Sequence, residues 1–148
     1  MYKHILIATD GSELADHSVT HGVALAKALD ARVTIVTVTE PWSAFDLAVE
    51  IRNQSPDPLE KFEGIAAKVA NRILASAAEK AKQAGVKFNA LHVPDRYPAE
   101  AIIATAAKHG CDLIVMASHG RRGLGRLVLG SQTFEVVTHS KIPTLVVR

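Results

Sequence analysis

Five short apolar runs, separated by longer stretches with helical spacing, constrain this chain more than any other feature. The first run, "HILIAT", is nearly continuous in apolar character and stops at Asp10-Gly11-Ser12. A half-exposed strand alternates apolar and polar residues. A run without alternation reads as a strand buried on both faces, as in a parallel sheet.

Residues 4–9 are therefore read as the first strand. From Ser12 or Glu13 to Leu29 the pattern becomes helical, with Ala15, Val19, Val23 and Ala26 on one face and Asp16, Thr20 and Lys27 turned elsewhere. The β-branched run 33–38 is the second strand, and Pro41 follows it. Residues 42–58 show no clean period and read as a long loop with a helical piece near 44–52. Within that loop Trp42, Phe45 and Leu47 suit a lid or a partner patch, and are expected rather to seal the edge of the core. Residues 59–84, rich in Ala, Lys and Glu, read as a long helix with Gly85 at its C-terminal cap. A third strand is expected over 86–93 and a helix over 99–109, with Pro98 in its first turn. "DLIVMAS" is the fourth strand, 131–139 a last helix, and "IPTLVVR" the fifth strand. Strict alternation of strand and helix implies right-handed crossovers. The expected fold is a single α/β domain over 1–148, an open five-stranded parallel sheet with helices on both faces.

A chain of 148 residues suits one domain with a substantial core. No apolar run approaches the roughly 20 residues that span a bilayer, so no membrane association is expected. "MYKHILIATDGS" has no charged leader or cleavage site, and no secretory signal is expected. Cys111, the lone cysteine, cannot form an internal disulfide and suits a reducing cytoplasm. A net charge of +2 gives no argument for a nucleic-acid partner.

Ligands on parallel sheets bind beyond the carboxyl ends of the strands, where strand order reverses. Two loops leave such ends: "ATDGS" after the first strand and "ASHGRRGLGRLVLGS" after the fourth. The Walker pattern GxxxxGK[ST] is absent, and GxGxxG fails after Gly123 and Gly125. The ingredients of an anion site nevertheless remain. Gly120, Gly123 and Gly125 allow positive φ and close backbone approach. Gly130-Ser131 stands directly before a helix, whose free N–H groups and dipole favour an anion. Ser131 and Thr133 add hydroxyls, and Arg121, Arg122 and Arg126 add charge.

"HILIATDGS" and "DLIVMASHGRRGLGRLVLGSQTFEVVTHSKIPTLVVR", with the length between them, resemble the universal stress protein family, ATP-binding branch. Nucleotide-binding members carry Gly-x2-Gly-x9-Gly-[Ser/Thr]. Here Gly120, nine residues and Gly130-Ser131 match it, and Ala117 stands at the first glycine. If that position needs positive φ, alanine costs about 1 kcal/mol or more, whereas close approach alone tolerates a methyl. The resemblance implies a Rossmann-like, adenine nucleotide alpha hydrolase-like fold in a homodimer that holds ATP, with or without Mg²⁺, or another adenine nucleotide such as cAMP. It implies that Ala8, Thr9 and Asp10 lie along the nucleotide, with Asp10 on the ribose hydroxyls. Val38 would offer a backbone contact and an apolar wall to adenine. Met116, Ala117, Ser118, His119, Gly120, Arg121, Arg122, Gly130, Ser131, Gln132 and Thr133 would surround ribose and phosphates. It further implies dimerisation through the last strand, whose "TLVV" carries no charge before Arg148 and so invites edge pairing.

Plainer readings stand beside these. Asp10 is also suited to cap the first helix or the turn before it. The arginines also fit a solvated loop. His17 and His21, four apart, with Glu13 one turn earlier, read as a polar helix face rather than a metal site. No group orients His119 as a base, and Cys111 reads as a small buried hydrophobe. A regulatory nucleotide binder leads over a nucleotide-free dimeric scaffold and over a slow ATPase or self-phosphorylating protein. For the enzyme reading, no positioned base and no Walker lysine are found.

Overall fold

The computed structural model describes residues 1–120 and 128–148. The elements in order are β1 (His4–Ala8), α1 (Glu13–Leu29), β2 (Arg32–Val38), α2 (Ala44–Arg52), α3 (Pro58–Ala84), β3 (Phe88–Val93), α4 (Pro98–Lys108), β4 (Leu113–Ala117), α5 (Ser131–His139) and β5 (Thr144–Val147). All strand pairs are parallel, in the order β3-β2-β1-β4-β5. Strand order therefore reverses between β1 and β4, and the carboxyl ends of those two strands flank the switch point.

The unbroken apolar character of β1 and β4 has its reason in two separate cores. Ile5, Ile7, Val33, Ile35, Leu113 and Val115 face Val19, Val23 and Ala26 of α1 and Leu74, Ala77 and Ala81 of α3. Their alternates Leu6, Ala8, Val36, Ile114 and Met116 face Ala99, Ile102 and Ala106 of α4 and Val136 of α5. Each central strand residue thus meets a helix on one side or the other, and all five residues of each strand are buried. Helices on both faces of the sheet match the expected class. Cys111 is buried in the second core, where burial pushes its thiol up to about 11, so it is packing and not chemistry.

The β2–β3 crossover departs from expectation in two places. First, β3 begins at Phe88 rather than at residue 86. Gly85 caps α3 in the left-handed region, and the Val86 N–H turns back to the Ala81 carbonyl at 2.9 Å, so Val86 still belongs to the helix cap. Second, the loop does not seal the core. Trp42 stacks on Phe62 with ring centroids 4.6 Å apart, but Phe45 is 76% exposed and α2 buries no residue. The helix forms because Ser43 caps it, and it touches α3 instead of the sheet. Among the described residues no helix is long and apolar enough to cross a membrane.

Candidate functional site

The first wall of the site is the turn from β1 to α1. Thr9 continues the ladder through its N–H to the Val36 carbonyl at 3.0 Å, and the Thr37 hydroxyl donates back to the Thr9 carbonyl. The Gly11 N–H donates to Thr9 Oγ1 at 3.2 Å and the Ser12 N–H to Asp10 Oδ1 at 2.9 Å. Ser12, not Asp10, is the N-cap of α1, accepting from the Ala15 N–H at 3.3 Å. Asp10 instead closes the turn before the helix, which fixes its carboxylate at the carboxyl edge of the sheet.

The second wall is built from the end of β4 and the start of α5. Ala117 is a buried strand residue paired with Val147, and it is not among the residues with positive φ. Its methyl therefore strains nothing in the backbone. Buried Ser118 donates its N–H to the Val147 carbonyl at 2.8 Å, and its carbonyl accepts the Gly130 N–H at 2.8 Å. That second bond pinches the base of the glycine-rich loop, while Ser118 Oγ meets Nδ1 of half-buried His119 at 3.1 Å. The Thr133 hydroxyl, buried, donates to the Ala117 carbonyl at 2.9 Å. The Gln132 side chain turns away, its Oε1 accepting the Ala99 N–H at 2.9 Å. Ser131 is exposed at the helix mouth.

Both glycines that match the family pattern sit at close approaches rather than at positive φ, Gly120 against a side chain and Gly130 against backbone. A Cβ on Gly120 would stand 2.5 Å from Asp10 Oδ2, so the loop after β4 lies against the carboxylate of the loop after β1. A Cβ on Gly130 would stand 3.0 Å from His119 Cα and 3.4 Å from the Ser118 carbonyl. The atoms that come close are the protein's own. Of the two freedoms the sequence offered at Gly120, positive φ and close approach, the structure uses close approach, and it is to Asp10 of the other wall. Arg121, Arg122, Gly123, Gly125 and Arg126 lie outside the described residues.

The helix mouth is chemically distinctive. Gly130 is the N-cap of α5 and supplies no side-chain cap, and the first turn carries no acidic residue. The first-turn N–H groups and the dipole therefore present partial positive charge toward the switch point. Ala8 and Met116 are buried below, against the α4/α5 core. Val38 is half-buried at the end of β2, packed on that same core and paired with Val93. Sequence reasoning overlooked His92, whose Nε2 lies 2.7 Å from Thr39 Oγ1 just beyond Val38. Burial pulls its pKa below the usual histidine value, disfavouring the charged ring. The only available sequence signal was its place two residues before Pro94. A cleft of about 630 Å³ opens beside the β1–α1 turn, between α1 and α3, and includes Thr9, Ser12, Arg72 and Lys80. His21 donates Nδ1–H to the His17 carbonyl at 3.0 Å, and among the described residues no group of three His, Cys, Asp or Glu is placed to hold a metal.

The fold and site define a parallel α/β domain with a glycine-capped helix start, free of acidic residues in its first turn, at a topological switch point. The chain belongs to the universal stress protein family, whose model matches residues 1–148. A universal stress protein from Thermus aquaticus is 36% identical over 151 residues, with 100% of each chain covered. The solved structure of the protein MJ0577 superposes with a TM-score of 0.78 at 29% identity, covering 99% of this chain and 96% of that one. A universal stress protein crystallised in complex with cAMP superposes with a TM-score of 0.70 at 24% identity, covering 99% and 97%.

Proposed function

We propose that this protein binds ATP or a related adenine nucleotide as a regulatory ligand, in a cytoplasmic homodimer. The observation that carries the reading is the start of α5, whose N-cap Gly130 offers no side chain and packs on Ser118 and His119, with Gly120 just beyond β4 lying against Asp10 at the switch point. The phosphates would meet the N–H groups of Ser131, Gln132 and Thr133, with the Ser131 hydroxyl beside them. Asp10, fixed by the Ser12 N–H, would accept the ribose hydroxyls. Val38 would wall the adenine, with Ala8, Thr9 and Met116 beneath. A family member of the same fold in complex with cAMP supports the adenine preference.

The residues present fit such a ligand: a crowded glycine cradle, an anion-receiving helix start and a carboxylate. Mg²⁺ would arrive on the phosphates, because that ion commonly keeps waters and needs few protein carboxylates. The bound nucleotide would supply charge and shape rather than a reaction. The chain contributes binding, orientation and a change in its own surface.

Isothermal calorimetry of the purified protein with ATP and Mg²⁺, and with cAMP and AMP, tests the reading. Saturable heat with at least one of them, reduced on changing Asp10 to Ala, is expected. No heat and no thermal shift at millimolar nucleotide defeats the reading and leaves the scaffold.

A further inference from the structure

The starts of α4 and α5 lie side by side, and they are finished differently. The N-cap of α4 is Tyr97, which makes no side-chain cap, and the next residue, Pro98, has no N–H to offer. The first N–H of α4 that needs a partner is therefore that of Ala99, a buried residue. Its partner comes from another helix: Oε1 of Gln132, at 2.9 Å and 33 residues away in sequence. Because the partner is an N–H, the atom that faces it is the amide oxygen.

Thr133, the next residue, is tied to a third element by its hydroxyl bond to the Ala117 carbonyl of β4. The first turn of α5 is thus mounted at two points, on α4 through Gln132 and on β4 through Thr133. Both side chains point away from the helix mouth. Among the first-turn groups of α5, the backbone N–H groups, aimed by the mount, and the Ser131 hydroxyl are left to face the mouth.

We propose that Gln132 is a positioning residue: it caps α4 in place of Tyr97, and so fixes the direction in which the first-turn N–H groups of α5 meet phosphate. This rests on the nucleotide reading above and adds to it a side chain that does not touch the ligand. A positioning role acts on phosphate and not on adenosine, which separates it from a general loss of fold.

The test uses the full chain and two variants, Gln132→Met, which keeps the length and removes the acceptor, and Gln132→Glu, which keeps an acceptor. Hydrogen exchange at the Ala99 amide is read without ligand, and ATP and adenosine affinities are read by calorimetry. Q132M is expected to speed Ala99 exchange about fivefold, the usual worth of a cap, and to weaken ATP, while adenosine is unchanged. Q132E is expected to restore Ala99 protection. Its added negative charge weakens ATP at low salt, and affinity recovers toward the parent at high salt, where charge is screened. Q132M that binds ATP like the parent, or Q132E that leaves Ala99 as unprotected as Q132M does, overturns the proposal alone. A parent that binds neither ATP nor adenosine overturns the nucleotide reading beneath it.

Discussion

At the scale of single residues, Gly120 and Gly130 look alike in the sequence and differ in what surrounds them. Among the described residues, the methyl of Gly120→Ala would meet only the Asp10 carboxylate. That carboxylate can rotate at the expense of the hydrogen bonds it makes, one of them to the Ser12 N–H, so the substitution is expected to cost about 1 kcal/mol for each bond lost. Gly130→Ala meets the backbone of His119 and Ser118, which cannot rotate aside. Its expected cost is about 1–3 kcal/mol, as for other overpacked sites. Urea denaturation of the two variants, each also made in an Asp10→Ala background, checks this. The Gly120 penalty should shrink in that background and the Gly130 penalty should not; equal additivity at both sites would refute the assignment. The glycine spacing was legible in the sequence, but the reason for it was not. A motif says that Cβ is unwelcome; only the packing of two distant loops says that Asp10 is what it would strike. The same limit applied to Ala117, whose strain depended on φ, and its place in β4 removes the objection.

At the scale of elements, apolar period and cap residues located α1, α4 and α5 closely, because each has a buried stripe and a clear stop. α2 also falls where a helical piece is expected, over 44–52, but it buries nothing, so its aromatic residue Phe45 gave a false sign of burial. The lower ends of the strands held a contact that no pattern could show. His4 of β1 is buried, its Nε2 2.7 Å from Thr34 Oγ1 of β2, and its Nδ1 has no hydrogen-bond partner of good geometry. Burial first, then the charge of Arg32, lowers its pKa from 6.5, outweighing the opposing pull of the His109 backbone and Asp112. His92 in β3 is lowered too, by burial. A lowered folded value means that the unfolded chain binds more protons as pH falls below about 6.5, so the fold loses stability in that direction. Each ring adds a slope of up to about 1.4 kcal/mol per pH unit until its folded pKa is passed. Denaturation midpoints should be flat from pH 8 to 7 and fall below 6.5. The fall should be shallower in His4→Gln, whose amide keeps a partner for Thr34 without titrating. A midpoint indifferent to pH between 7 and 5.5 would show that the rings are solvated.

At the scale of the whole molecule, a five-stranded open sheet leaves two edges, and they are not equivalent. The edge at β3 begins beside Lys87 and exposes polar Asn89, which discourages a second sheet. The edge at β5 carries no charge before Arg148 and exposes Leu145. α5, which packs against β5, also exposes Phe134 and Val137. The β3 edge also exposes Phe88, but beside Lys87 and Asn89. Covering Leu145, Phe134 and Val137 would instead bury three apolar side chains along an uncharged strand, and this is the physical ground for proposing the homodimer there. α5 would then have two duties, its first turn receiving phosphate and its flank bordering the partner. Ligand and dimer are coupled if the helix moves as a unit on its Gln132 and Thr133 mounts. Sedimentation velocity over a dilution series tests the edge assignment. Leu145→Glu places a charge against the partner and should raise the dimer dissociation constant about tenfold or more, the penalty of an unpaired buried charge. Asn89→Lys on the opposite edge should leave it unchanged. The reverse outcome moves the interface to β3 and uncouples it from α5, so that a nucleotide at the switch point would no longer share an element with the partner.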